Sequence, residues 1–253
     1  MEDYALGLSD VFRLYCNDGG IRHVGYAPVS AWYDDPLVSS RIPEGSRPDD
    51  ILPGAKSVMV IGVPIPRTIV ETAPSIYYRS LYDVSNNHLD MNAYRISLEL
   101  MDYGYEALFV PRDGYRGAEG LRNKPESFFS HRHAAYLAGI GTFGWNNMLL
   151  TPEYGPRMRF TSIITTAEFE YGEPIKEDLC IRCGRCTRAC PASAVAETDY
   201  PTGITMKDGC VELSVNLAKR GISPCGRCIA VCPVGRDPKT VSTDVAIGRI
   251  RSI

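Results

Sequence analysis

The chain has 253 residues, enough for one large domain or for one medium and one small. Hydrophobic residues make up 44% and charged residues 23%, the ordinary balance of a globular protein. Twenty-seven basic residues against 30 acidic leave a net charge of −3, which removes any general attraction to nucleic acid or to an anionic membrane. No apolar run approaches the roughly 18 residues of a membrane span, and no signal peptide or twin-arginine leader stands at the start, so the cytoplasm is the expected compartment.

Taken in order, residues 3–17 place Tyr4, Ala5, Leu8, Val11, Phe12, Leu14 and Tyr15 at helical spacing, and Gly19-Gly20 ends the pattern. Cys16 within it reads as a buried small hydrophobe. Residues 21–29 read as a strand, and the Pro-, Asp-, Ser- and Gly-rich stretch 36–53 as a loop. The run Ser57 to Val63 is continuously apolar, the mark of a strand covered on both faces. Residues 86–103 fit an amphipathic helix with Leu89, Met91, Ala93, Ile96, Leu98 and Leu100 near one side. A second buried strand is expected over 105–110, ended by Pro111, then a loop over 112–124, a helix over 128–139 and a strand over 159–166. Mixed strands and helices predict a compact α+β domain over 1–171, followed by a small cysteine module over 172–253.

Eight of the nine cysteines fall in that module. Cys180-x2-Cys183-x2-Cys186-x3-Cys190-Pro191 is answered by Cys225-x2-Cys228-x3-Cys232-Pro233, with Cys210 upstream of the second run. Thiolates two residues apart wrap three corners of one iron–sulfur cube, and the Cys before Pro turns away to the other cube. The spacing therefore assigns Cys180, Cys183, Cys186 and Cys232 to one 4Fe–4S cluster, and Cys190, Cys210, Cys225 and Cys228 to a second. Zinc and disulfides are the competing readings; zinc sites rarely carry the terminal Cys-Pro, and disulfides suit small secreted domains. Arg182, Arg185 and Arg188 between the ligands would offset cluster charge or guide an electron donor.

Three stretches resemble one superfamily, that of the epoxyqueuosine reductases and the reductive dehalogenases. The split second cysteine motif is similar to that of epoxyqueuosine reductases. Ala138-Gly139-Ile140-Gly141-Thr142-Phe143-Gly144-Trp145-Asn146 is similar to a Gly-rich stretch that precedes the clusters in that family. Thr151-Pro152-Glu153-Tyr154-Gly155-Pro156-Arg157-Met158-Arg159 is similar to a stretch of the dehalogenases. The resemblance implies a nitroreductase-like α+β sandwich, a bacterial-ferredoxin-like module with two 4Fe–4S clusters, and a base-off corrinoid (cobalamin or a relative) at which a small substrate is reduced. A flavin is the rival occupant.

On that reading Gly139, Gly141, Gly144 and Gly155 let backbone approach the macrocycle. Phe143, Trp145, Asn146, Thr151 and Tyr154 line its site, and Arg157 and Arg159 meet its polar groups. A helix cap followed by a packed turn would explain the same glycines. Electrons would come from a ferredoxin or flavodoxin. The family's acid follows the strand that here ends at Val110, where this chain has Pro111, so the proton donor is expected from Asp113, Tyr115 or Glu126, with Glu126 favoured. Few residues follow Pro233 where epoxyqueuosine reductases carry a helical-repeat extension, so action on tRNA is not expected. A non-catalytic carrier that reduces a corrinoid protein is the alternative from a different functional class. His131 and His133, two apart at a helix start, would not share a face or build a metal site alone.

Overall fold

The computed structural model describes residues 7–112, 120, 122, 127–202 and 207–235. Its frame is an antiparallel sheet of β1 (His23–Pro28), β2 (Ser57–Pro64), β3 (Ala107–Val110) and β6 (Met158–Thr165), in the order β1-β2-β6-β3. β4 (Thr142–Phe143) and β5 (Leu149–Leu150) form a separate small hairpin.

β2 explains its own composition. Val58 and Val60 enter one core, while Met59, Ile61 and Val63 enter the other. Successive side chains of a strand point to opposite faces, so a strand clothed on both sides needs apolar residues at every position. The first core includes the helix His131–Leu137 and buries Trp32, Phe129 and Phe160. The second lies under the helices Leu8–Asp18 and Ile76–Asp102 and buries Phe12, Tyr26 and Leu100. The result is a helix–sheet–helix layering, the mixed α and β fold expected.

The 27-residue helix starts at Ile76, ten positions before the expected 86, because the Ser75 hydroxyl accepts from the Tyr78 amide and caps it. Of the residues expected on its buried side, Leu89, Ala93, Ile96 and Leu100 are buried, whereas Met91 and Leu98 face solvent. The expected loop 36–53 contains two one-turn helices, Pro36–Ser39 and Pro48–Ile51. Cys16 is buried, as its apolar setting requires, and burial pushes its thiol up to about 12.

In the cysteine segment, each motif turns through a left-handed glycine into a four-residue helix. Gly184 (φ 66°) leads into Arg185–Arg188, and Gly226 (φ 69°) leads into Arg227–Ala230. The same Cys-Gly-Arg-Cys sequence thus makes the same turn twice. Cys210 enters from the helix Lys207–Lys219.

Candidate functional site

The eight thiols sort into two groups. Cys180, Cys183, Cys186 and Cys232 line one cavity together with Trp145, Asn146 and Leu150. The Cys232 thiol is raised to about 11, mainly by burial, and the thiols that add to the rise are those of Cys186, Cys180 and Cys183. Cys228 is pushed up to about 12 by burial, with Cys210, Cys225, Cys186 and Cys190 around it. Cys190 and Cys225 are likewise the thiols acting on Cys210. Cys232 of the second motif therefore joins the three thiols of the first around one cavity, and Cys190 of the first motif acts on thiols of the second. Four thiols around one cavity is a donor set that fits an iron–sulfur cube.

The glycines of the Gly-rich stretch make close approaches to neighbouring backbone and side chains. A Cβ on Gly141 would lie 2.1 Å from the Leu150 carbonyl oxygen, and one on Gly139 2.4 Å from that of Glu173. At Gly155, with φ +56°, a Cβ would lie 2.0 Å from the Val234 carbonyl oxygen. Gly144 is closed in by Leu150 and Asn146. Gly139 and Gly155 thus meet the segment that carries the cysteines, while Gly141 and Gly144 meet Leu150 of the small hairpin.

Its other side chains serve the same seam. Trp145 Nε1 donates to Asp199 at 2.8 Å, and Asn146 Nδ2 donates to the Cys228 carbonyl at 3.2 Å. Phe143 stacks on Tyr200 with centroids 4.1 Å apart. Thr151 is buried and accepts from the Tyr154 amide, while the Tyr154 ring meets His23 edge-on. Arg157 is buried, with its backbone paired to Tyr154 and Ile65.

Arg159 stands apart. It donates through Nε at 3.0 Å and Nη2 at 2.8 Å to the side-chain oxygen of Asn86, and its guanidinium lies 4.2 Å from the centre of the Tyr82 ring. Asn86 is fully buried in the long helix, yet its Nδ2 has no partner among the described residues. Leaving a buried donor unpaired costs about 1–3 kcal/mol. Beside this pair lies Tyr78, whose ring sits 2.3 Å from where a Gly226 Cβ would be, packed on the turn between Cys225 and Cys228. Burial raises the Tyr78 phenol to about 12, and both Arg159 and Cys228 act on it electrostatically. Tyr78 thus packs on the turn of the second cysteine motif from the same helix that carries Asn86.

The expected proton donors Asp113, Tyr115 and Glu126 lie outside the described residues, but the ends of their loop are visible. His131 Nε2 donates to the Pro111 carbonyl at 3.1 Å, leaving Nδ1 to accept from Ser162 at 2.9 Å. Arg112 pairs with Asp90, one helical turn beyond Asn86. Arg122 pairs with Glu212 on the Cys210 helix at 2.8 Å. His133 bridges Ser130 and Tyr200 and is held near pKa 3 by burial, so the two histidines serve separate structural ends. Arg182 is tied to Asp178 and Asp199. A separate open cavity of about 440 Å³ is lined by residues including Arg13, Arg22, His23 and Glu153 and by no cysteine.

Residues 173–196 match the 4Fe–4S binding domain family, over the first cysteine motif. The chain is 28% identical over 193 residues to the tetrachloroethene reductive dehalogenase of Dehalobacter restrictus, covering 70% of this chain and 32% of that protein. It is 26% identical over 212 residues to the epoxyqueuosine reductase of Bacillus subtilis, covering 81% of this chain and 53% of that one. The chain's relatives are the epoxyqueuosine reductases and the reductive dehalogenases.

The solved folds agree with these relatives. A reductive dehalogenase structure for which B12-dependent dehalogenation has been suggested aligns with a TM-score of 0.66 at 22% identity, over 92% of this chain and 32% of its own. The epoxyqueuosine reductase of Streptococcus thermophilus aligns with a TM-score of 0.57 at 18% identity, over 95% of this chain and 70% of its own. Against these reductases the chain spans about a third of the dehalogenase and about half of the Bacillus enzyme. No helix among the described residues is long and apolar enough to cross a membrane.

Proposed function

We propose that this chain is an iron–sulfur reductase in which two 4Fe–4S clusters supply electrons to a base-off corrinoid, held on a nitroreductase-like domain beside the second cluster. The observation that supports the reading is the packing of Tyr78 on the turn of the second cysteine motif, from the helix that also carries the buried Asn86 bonded to Arg159. Cys180, Cys183, Cys186 and Cys232 would hold one cluster, and Cys190, Cys210, Cys225 and Cys228 the other. A bound corrinoid supplies low-valent cobalt, a strong reductant.

The remaining work falls to side chains. Arg159 and Tyr82 would meet the ligand's polar and flat surfaces, and Tyr78 would keep water out between ligand and cluster. Reduction of a small substrate leaves a basic product that needs a positioned acid within hydrogen-bond reach. Asp113, Tyr115 and Glu126 are the groups proposed to supply that proton. Ile181 is 66% exposed beside the first quartet, which suits docking of a ferredoxin- or flavodoxin-type donor there.

The test is reconstitution under anaerobic conditions. About eight irons and eight sulfides per chain are expected for two cubes, and four would remove the second cluster. After mixing with hydroxocobalamin and gel filtration, the protein fraction should keep the corrinoid absorption. Corrinoid eluting wholly with the small molecules would leave the carrier reading in its place.

A further inference from the structure

The Asn86 amide cannot be turned round. Arg159 offers only donors, so the atom facing it must be the carboxamide oxygen, and the NH2 group is committed to the opposite direction. That NH2 is fully buried and has no partner among the described residues. The surrounding groups limit what can meet it. Tyr82 is covered by the Arg159 guanidinium, and Tyr78 is packed on the turn of the second quartet. The helix carboxylates on either side, Asp83 and Asp90, are paired with Arg79 and Arg112.

Resting on the function proposed above, we infer that Asn86 Nδ2 is a ligand-binding donor, placed by Arg159 to hold a carbonyl-type oxygen. The positive guanidinium behind the amide polarises it, so the N–H is a better donor than an isolated asparagine. Two sources offer such an oxygen: the peripheral carboxamides of a corrinoid, or the carbonyl of a substrate.

The variant Asn86→Asp separates the ligand role from a structural one. The carboxylate keeps both contacts to Arg159 and makes them charge-assisted, while the outward donor disappears. The ligand-free, cluster-loaded variant should therefore melt a few degrees higher than the parent. It should also bind a carbonyl ligand about tenfold more weakly. Affinity is read by absorbance titration with hydroxocobalamin, and separately by the melting shift with acetamide and benzamide.

Weakening of cobalamin alone assigns the oxygen to the corrinoid, and weakening of the amides alone assigns it to a substrate. Affinities unchanged for all probes, or a lower melting temperature for Asn86→Asp, would overturn the inference. Should Asn86→Asp not fold, Asn86→Ala must show the same tenfold loss. A parent protein that takes up no cobalamin refutes the corrinoid reading; the Asn86 inference is then decided by the amide and melting results.

Discussion

The Arg122 guanidinium meets the carboxylate of Glu212, on the helix that carries Cys210, at 2.8 Å. Arg112 pairs with Asp90 on the long helix, one turn from Asn86.

The two pairs differ in strength. Arg122 and Glu212 keep 42% and 55% of their side-chain surface in solvent, whereas Arg112 and Asp90 keep 25% and 23%. An exposed pair contributes under about 1 kcal/mol. A double-mutant cycle on thermal unfolding with Arg122→Ala and Glu212→Ala should give a coupling below that figure, and the cycle at Asp90 and Arg112 a larger one. Equal couplings would mean the exposures do not govern them.

Crossing of the fourth ligand makes a pairwise prediction. After reconstitution, Cys232→Ser should leave the same residual paramagnetic signal as Cys180→Ser, because both damage the first cluster. Cys190→Ser should match Cys225→Ser instead. If Cys190→Ser matches Cys180→Ser, each motif keeps its own fourth cysteine.

The docking seam is tested at Gly155. A methyl group there meets the Val234 carbonyl and must adopt φ +56°, so Gly155→Ala should cost well over the 1–2 kcal/mol of left-handed backbone alone and reduce the iron retained. Gly45→Ala, also at positive φ (+81°) but with nothing within 4 Å, is the control and should cost only about that amount. Similar losses at both sites would show that the contact with Val234 carries no energy.

His133 gives the pH dependence. Its folded pKa, about 3, lies below the ordinary 6.5 because burial disfavours the imidazolium. The unfolded chain therefore binds a proton that the folded chain refuses, and stability present above pH 6.5 is lost as pH falls toward 3. Between pH 7 and pH 5 this should remove about 2 kcal/mol from the parent. Denaturant unfolding of His133→Gln should lack that slope; an unchanged slope would assign the loss to other groups.

The strongest elements could be read directly from sequence. The run Val58–Ile61 of β2 is apolar at every position because both faces are covered, and the cysteine spacing pointed to Cys232 beside Cys180, Cys183 and Cys186, which line one cavity with it. The long helix was read too short, since its first turns carry Tyr77, Tyr78 and Tyr82 in no clear period, and its start depends on one hydroxyl at Ser75. Glycines 139, 141 and 155 announced close approaches, but sequence cannot say whether a ligand or another strand of backbone does the approaching. Arg159 and Asn86 lie 73 residues apart, so no local pattern could have joined them.

The most direct measurement is the electron paramagnetic resonance spectrum of cob(II)alamin, recorded alone and with a stoichiometric amount of the anaerobically reconstituted protein. The account predicts that the nitrogen splitting from the axial base disappears when the protein is added, and that dithionite reduction of the clusters then removes the cobalt signal. A spectrum that keeps its nitrogen splitting in the presence of the protein would contradict it.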